Sequence, residues 1–401
     1  MKHIIPILVI LLLLSSGFVG VSYSIDDIEQ STMPTPLGNI LYVGGNGTGN
    51  YSKIQDAINA AWYGDTVFVY DDSSPYYENL QIKRGINLIG EDKNTTVIDG
   101  NKQDSVIEIL NDDVMVSGFT IQNCPLQNQF QYAVVKINSC QNVTIFDNII
   151  SIGGESITHL FTAAIYLKAS TDCSMLDNYI FEDYEKEKTM GIVLDTGSSN
   201  NLISGNTIAG NYTMGVYIKH ECFNNIISEN YIHHDSSGIY IYGSDNEVIN
   251  NRIVNCSSIG IYIVDGKRNT VSGNIISHNI GGLWDGGIVI LASNRNIISD
   301  NEISYNHPTG VYVSVAYNNV ISGNNFIDNE GEGHKEGGNA YFNYNGLHFF
   351  ANRWKENYWS DSSSGGTRPK IIPGEIQIFI IDRLWINFDW NPAQEPYDIG
   401  V

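Results

Sequence analysis

Residues 260–276 read GIYIVDGKRNTVSGNII, and variants of this stretch occur six times between Gly191 and Asn329. Apolar residues alternate after each opening glycine, which is typical of a short strand with one buried face. The repeat is too short for an intervening helix and therefore predicts an all-β solenoid of parallel strands. The glycines fall 22 to 27 residues apart, at Gly191, Gly215, Gly238, Gly260, Gly287 and Gly310.

Two columns of asparagine accompany the repeat and predict stacked amide ladders in the turns. One column contains Asn206, Asn230, Asn251, Asn274, Asn301 and Asn324. The other contains Asn201, Asn225, Asn269, Asn296 and Asn319, and Glu247 interrupts it. We assign the solenoid to residues 41–350. Its part from about Thr66 to Phe350 gives roughly twelve rungs at this period, a rod about 55–60 Å long.

Both ends of such a stack need a cap. At the start, Ser52–Gln55 reads as a capping box, and Ile54, Ala57, Ile58 and Ala61 form one apolar helical stripe. We therefore predict an amphipathic helix as the N-terminal cap. At the other end, residues 351–401 are expected to form an aromatic C-terminal cap. Its aromatic residues include Trp354, Trp359, Trp385, Phe388 and Trp390.

Charge and the first residues bear on location and partners. The net charge of −23 argues against nucleic acid and anionic membranes as partners. Lys2 followed by an apolar run predicts a signal peptide over residues 1–24, with an uncleaved anchor as the alternative. Residues 25–40 are then a linker. The expected location is secreted, at the cell surface or in a periplasm-like space, with no integral membrane domain beyond that anchor.

The five cysteines form no Cys-x-x-Cys pair, which disfavours a thiolate metal site or a redox motif. Cys140 and Cys222 share one repeat position, about 14 Å apart at the usual strand spacing. This is too far for a disulfide. We expect free, mostly packed thiols.

Three segments resemble known families. The stretch from Leu41 to Val69, with Tyr51-Ser52-Lys53-Ile54-Gln55 and Gly64-Asp65-Thr66, looks like the opening of pectin-lyase-like right-handed β-helices. The repeats resemble the carbohydrate-binding and sugar-hydrolase (CASH) repeats. The segment Asn357-Tyr358-Trp359-Ser360-Asp361 is similar to the one that closes the repeats in the NosD group, named for a periplasmic protein linked to copper assembly of nitrous oxide reductase. The resemblance covers residues 41–361 and implies a single-stranded right-handed parallel β-helix. The sequence departs from the NosD pattern after Asp361.

Insertions between repeats all fall in the turn before the glycine strand, which predicts a binding surface there. The alternative is a surface turn that merely tolerates extra length. The insertions are Gln122–Gln131, Ser151–Thr162, Phe181–Met190, Ile280–Gly286 and Asp328–Gly338. The adjoining strand carries an outward column of Tyr166, Val193, Tyr217, Tyr240, Tyr262, Val289 and Tyr312. With Trp284 and Asp285, its tyrosines are the predicted substrate-binding residues, as a platform for sugar rings. The alternative is an aromatic ladder that only stabilises the sheet.

Histidines in the same turn suggest a metal site or a general base. His234 and His278 share a column with Asn255 between them, and His233 and Asp235 are neighbours in sequence. A histidine site would take a transition metal. Copper and calcium are the candidate cofactors of the protein as a whole. The alternative for Asp235 is another turn ladder, with Asp183, Asn211, Asn279, Asn306 and Asn329.

Lys168, Asp195 and Lys219 stand on three successive rungs and are the candidate catalytic residues. Proton abstraction from a uronic acid needs a base and cations that neutralise the carboxylate. A surface charge ladder is the alternative.

We therefore predict an exported, non-catalytic, monomeric β-helix that binds carbohydrate or a cell-surface polymer along one face. One alternative is a carbohydrate-active enzyme, namely a polysaccharide lyase, epimerase or glycosidase. The other is a NosD-like copper-handling accessory protein.

Overall fold

Parallel strands stack into one solenoid with three faces. The computed structural model describes residues 38–125, 132–153, 162–182, 189–329, 338–345, 352–362, 367–378 and 381–400. The predicted signal peptide lies outside these residues. Within them, no helix has the length and hydropathy needed to cross a lipid bilayer. The predicted all-β solenoid of parallel strands is confirmed.

Each coil runs through the first, second and third face in turn. The first face consists of Leu80–Ile82, Ile107–Ile109, Ala133–Asn138, Thr162–Lys168, Thr189–Asp195, Met214–Ile218, Ser237–Ile241, Ile259–Val264, Gly286–Leu291, Thr309–Ser314, Gly338–Asn345 and Lys370–Ile378. The second consists of Ile40–Val43, Thr66–Val69, Asn87–Gly90, Met115–Ser117, Thr144–Phe146, Ser174–Leu176, Leu202–Ser204, Ile226–Ser228, Glu247–Ile249, Thr270–Ser272, Ile297–Ser299, Val320–Ser322, Arg353–Lys355 and Ile381–Asp389. The third consists of Tyr76–Tyr77, Val97–Asp99, Thr120–Gln122, Ile149–Ser151, Tyr179–Phe181, Thr207–Ala209, Tyr231–His233, Arg252–Val254, Ile275–Ser277, Glu302–Ser304, Asn325–Ile327 and Tyr358–Trp359.

Inward side chains of all three faces form one continuous core. Ile192, Val216 and Ile239 are partners on consecutive rungs and are fully buried. Burying a side chain of this size stabilises a fold by about 1.5–3 kcal/mol, so a column of them is a large term.

The repeated glycine lies where neighbouring first-face strands approach each other closely. Met190 pairs with Met214 and Ile192 with Val216, so Gly191 is aligned with Gly215 on the next rung. A Cβ at Gly191 would lie 2.3 Å from the carbonyl oxygen of Gly215. Only glycine allows this approach of two backbones.

Both predicted asparagine ladders are present. At each step the Oδ1 of one asparagine accepts the backbone N–H and the Nδ2–H of the asparagine one rung earlier. Between Asn206 and Asn230 these distances are 3.0 and 2.9 Å. The predicted break at Glu247 is wrong, because Asn246 occupies the ladder position and bonds to Asn225 and Asn269. The turn after Gly238 is shorter than the others, so its asparagine arrives one residue earlier.

The helix Ile54–Ala60 packs its buried face on the first strands, but the predicted capping box is wrong. Lys53 is the N-cap residue and makes no side-chain cap. The carboxylate of Glu78 instead accepts the N–H of Ile54 at 2.8 Å and of Gln55 at 3.0 Å. A residue 24 positions later therefore satisfies the free amides of the first turn.

Replacing Glu78 with alanine is expected to lower the free energy of unfolding by about 1 kcal/mol, the usual cost of losing an N-terminal cap. Urea unfolding followed by circular dichroism measures it. The matched control is Ser52→Ala, which removes the hydroxyl of the sequence-predicted box and should change stability by less than about 0.5 kcal/mol. A larger loss for Ser52→Ala than for Glu78→Ala would contradict this assignment.

The aromatic residues of the C-terminal segment divide into two groups. Trp354 and Trp359 are buried in the core, and the Trp359 ring stacks on Phe326 at 4.3 Å. Trp385 is half exposed, and Trp390 is 69% exposed. Lys370–Ile378 and Ile381–Asp389 form an antiparallel hairpin at this end. The C-terminal cap over residues 351–401 stays a prediction.

The five cysteines are free and buried, as predicted. Burial raises the pKa of each thiol. These thiols are therefore packing residues rather than nucleophiles.

Candidate functional site

The outward side of the first face carries the predicted tyrosine column in register. Consecutive rungs pair Tyr166 with Val193, Val193 with Tyr217 and Tyr217 with Tyr240. The column continues through Tyr262, Val289 and Tyr312 to Tyr341, which the sequence reading did not include. The predicted alignment is thus confirmed.

Only the middle of this column is accessible. Tyr217, Tyr240 and Tyr262 are half-buried, whereas Val193 on one side is 0% exposed and Val289 on the other is 3% exposed. Tyr166 and Tyr312 are also buried, although their side chains point away from the core. The accessible tyrosines therefore occupy three rungs.

Tyr242 adds a fourth ring to this group. It follows Tyr240 by two residues, so it points outward in the neighbouring column. Its ring centroid lies 5.2 Å from that of Tyr240, 6.2 Å from that of Tyr217 and 4.4 Å from that of His220. We name Tyr217, Tyr240, Tyr242 and Tyr262 the tyrosine patch. The alternation after Gly238 also predicts an outward side chain at Tyr242. This residue was missed because it lies outside the column that contains Tyr240.

Rings of the patch meet edge to face. Tyr240 is T-shaped to Tyr217 at 5.6 Å and to Tyr262 at 4.7 Å. Such pairs stabilise a sheet and also leave ring faces and hydroxyls at the surface. The stabilising ladder and the binding platform are therefore compatible in one structure.

Burial raises the pKa of three patch hydroxyls. It is the largest cause for Tyr217, whose pKa rises to about 12, and for Tyr240 and Tyr262. All three hydroxyls stay protonated at physiological pH and can both donate and accept hydrogen bonds.

Beside the patch, two of the three candidate catalytic residues form a hydrogen-bonded group with a tyrosine. Lys219 Nζ donates to Asp195 Oδ2 at 2.8 Å, and Tyr166 Oη donates to the same oxygen at 2.5 Å. Burial alone would raise the pKa of Asp195, but the hydrogen bonds from Lys219, Tyr166 and the Thr196 amide outweigh it and lower the pKa to about 2. Lys168 lies on the preceding rung and is exposed.

Trp284 and Asp285 lie at the other end of the column. The Trp284 ring is exposed, 5.2 Å from the buried ring of Tyr312. Asp285 is held within its turn, where it accepts hydrogen bonds from Ser258 Oγ at 3.0 Å and the Gly282 amide at 2.7 Å. The other four insertions lie largely outside the described residues, and their flanking strands place them between the third and first faces.

The candidate metal ligands are dispersed. His233 Nδ1 and His234 Nδ1 are 2.6 Å apart and share a hydrogen bond. His278, two rungs further on, stacks on Tyr305 at 5.1 Å. Burial lowers the pKa of His233, and the neighbouring His234 adds to this.

Asp235 points into the solenoid, away from these histidines. It is 1% exposed, and its Oδ1 accepts the amide of Tyr212 at 3.1 Å. Its position belongs to an inward ladder that continues in Asn279 and Asn306. The predicted member Asn211 is wrong, because Tyr212 is aligned with Asp235; Asp183 lies outside the described residues.

Two family models match the chain. A model described as "Right handed beta helix region" matches residues 227–368. One described as "Periplasmic copper-binding protein (NosD)" matches residues 58–281, more than half of the chain. This chain belongs to the NosD family. The handedness expected from the resemblance is thereby confirmed.

Solved structures resemble this NosD-family chain in fold. DFA-IIIase from Arthrobacter chlorophenolicus A6 without its lid, in complex with GF2, has a TM-score of 0.58 at 13% identity. The superposition covers 82% of this chain and 96% of the DFA-IIIase chain. For the same enzyme in complex with DFA-III, the TM-score is 0.53 at 11% identity, with 71% of this chain and 83% of the enzyme chain covered. An alginate lyase from Paenibacillus sp. str. FPU-7 scores 0.48 at 13% identity and covers 66% and 94%. No curated protein matches the sequence.

The copper in the NosD family's description does not fit the residues in view. Across the described ranges, no three His, Cys, Asp or Glu side chains are arranged to hold a metal ion. Asp235 lies inside the solenoid, while His234 and His278 are exposed and two rungs apart. The predicted set of His233, His234, His278 and Asp235 is therefore not brought together.

Proposed function

We propose that this NosD-family chain is an exported, non-catalytic β-helix protein that binds carbohydrate through the tyrosine patch. The observation that carries the proposal is the exposure of tyrosines on three consecutive rungs, between rungs where the same column is buried. Sugar rings stack on aromatic faces through C–H groups, and protonated phenols bond to sugar hydroxyls.

The state of Asp195 supports binding rather than catalysis. A general base needs a pKa near the working pH. Asp195 is held well below it, and burial raises the pKa of Tyr166, so both groups have moved away from neutrality. Lys219 is already engaged by Asp195. The hydrogen-bonded group of Tyr166, Asp195 and Lys219 is therefore suited to form a rigid side of a binding site. It is less suited to abstract a proton, as a lyase or epimerase must.

Export and an extracellular or periplasm-like location rest on the apolar start of the chain and on the family's description as periplasmic. The acidic surface is compatible with a soluble monomer in that space.

Replacing Tyr217 and Tyr262 together with alanine is expected to weaken glycan binding at least tenfold, because both flanking rings of the patch are lost. A glycan array identifies the ligand, and calorimetry with the best array ligand measures the change. Loss of two ring contacts at about 1 kcal/mol each lowers affinity about thirtyfold, which exceeds this threshold.

The matched control is Tyr77→Ala, since Tyr77 is 67% exposed on the third face, away from the patch. It should leave affinity unchanged. The thermal midpoint of each variant separates a binding role from a stabilising one. Unchanged affinity in the double variant, or a glycan array on which the protein binds no ligand, would contradict the proposal.

A further inference from the structure

We propose that the tyrosine patch takes a neutral linear glycan, with about three to four sugar rings laid along the solenoid axis, rather than a uronate polymer. This inference rests on the proposed carbohydrate-binding function and adds the charge class, the length and the direction of the ligand.

Two buried valines set the length. Val193 and Val289 occupy the patch column on the rungs just outside it and expose almost nothing. The three rungs between them are spaced by about 4.8 Å, a distance comparable with the length of one sugar ring. A chain that runs along the axis therefore meets one tyrosine per rung and leaves the patch after three to four rings.

The direction follows from the same register. Tyr217, Tyr240 and Tyr262 are direct partners across adjacent strands, so their side chains form a row parallel to the axis. Across the row, only Tyr242 widens the patch. A ligand that crossed the strands would leave the outer two rings unused.

Charge sets the class of ligand. The side chains of the patch are phenols, and burial raises the pKa of Tyr217 and Tyr240. At one rim, Asp195 neutralises Lys219 at 2.8 Å. At the other rim, the negative charges of Asp285 and Asp265 add to the rise in the pKa of Tyr262 that burial causes. The exposed Lys168 is therefore outnumbered by acidic groups.

A uronate polymer would bring one carboxylate per residue to this surface. To gain a cation it would have to break the pair of Lys219 and Asp195, and the separated Asp195 would repel it. The chain's net charge of −23 adds repulsion at low salt. Neutral hydroxyls meet no such cost.

The test uses oligosaccharides of two to six residues in matched pairs, with gluco-, manno- and galacto-series against the corresponding uronate series. Calorimetry on the full mature chain at 50 and 300 mM salt measures affinity. We expect binding by at least one neutral series, an affinity that rises up to about four residues and then levels off, and at least tenfold weaker binding of its uronate partner at low salt. The Tyr217→Ala, Tyr262→Ala double variant should lose the neutral binding, while Tyr77→Ala keeps it.

The outcomes separate the two proposals. Stronger binding of a uronate series that still depends on Tyr217 and Tyr262 would overturn the charge class and leave the proposed function standing. Affinity that keeps rising to six residues would overturn the length. Binding by no series, or binding unaffected by the double variant, would overturn both the inference and the proposed function.

Discussion

Replacing Asn251 with alanine should lower the free energy of unfolding by about 3–5 kcal/mol. Asn251 is fully buried at the centre of its ladder. Its Nδ2 donates to the carbonyl oxygens of Ile227 at 2.8 Å and Ile249 at 3.1 Å, and its Oδ1 accepts the amide of Asn230 at 3.0 Å. Alanine would leave these backbone groups buried without partners, and each costs about 1–3 kcal/mol.

Urea unfolding followed by circular dichroism measures this loss. Asn59→Ala is the control, since Asn59 is exposed on the helix and its one side-chain contact, with Gln55, is at the surface. It should shift stability by less than about 0.5 kcal/mol. Equal, small effects of the two substitutions would show that the ladder does not hold the turns together.

Replacing Asp235 with asparagine should stabilise the protein at pH 7–8 by about 1–3 kcal/mol. Asp235 occupies a ladder position that asparagine fills at Asn279 and Asn306, where Nδ2 donates to a backbone carbonyl oxygen on the third-face strand of the preceding rung. An ionised carboxylate cannot donate, and Asp235 Oδ2 is buried without a hydrogen-bond partner. Asparagine supplies the missing donor.

The gain should depend on pH. Burial raises the pKa of Asp235 well above its ordinary value, although the Tyr212 amide opposes this. The folded protein therefore holds the proton more tightly than the unfolded chain. The stability from this proton is fully present below about pH 4 and is lost as pH rises through the folded pKa. The difference between Asp235→Asn and wild type should thus grow from acidic to neutral pH.

Urea unfolding between pH 4 and pH 8 tests this, with Asp56→Asn as an exposed control on the helix. The titratable groups facing Asp235 are Tyr212 and Cys256 on the adjoining rungs, and Glu182 interacts with Tyr212. These groups are present in both wild type and Asp235→Asn, so their contributions cancel in the difference between the two free energies of unfolding. A gain that is the same at every pH, or a loss at pH 8, would contradict the buried-proton explanation.

The candidate site was partly visible in the sequence. The column of Tyr217, Tyr240 and Tyr262 could be aligned, because the repeat fixes the register and the alternation fixes the side. The length of the accessible part of the column could not be predicted, because the burial of Val193 and Val289 depends on what surrounds the outer surface of the sheet. Proximity of Lys219 and Asp195 was predicted from adjacent rungs, but the contribution of Tyr166 required the direction of its side chain.

The sequence prediction failed for the helix cap and for the side on which some turn side chains lie. The cap of the helix comes from Glu78 rather than Ser52. His234 and Asp235 are adjacent in sequence, but His234 is exposed and Asp235 is buried inside the solenoid. His234 has a left-handed backbone with a φ of 60°, and Asp235, the residue after it, is buried. A shorter turn likewise moved the ladder position from Glu247 to Asn246.

The sequence by itself determined the solenoid, its inward isoleucines and valines, its repeated glycines and most of its asparagine ladders. These features repeat with the rung and depend on local alternation, which a strand imposes on its own residues. The tertiary structure decided which tyrosines are accessible, which carboxyl group is buried and which histidines remain apart. Exposure, desolvation and the distance between side chains are set by neighbouring rungs and turns, and no single repeat contains that information.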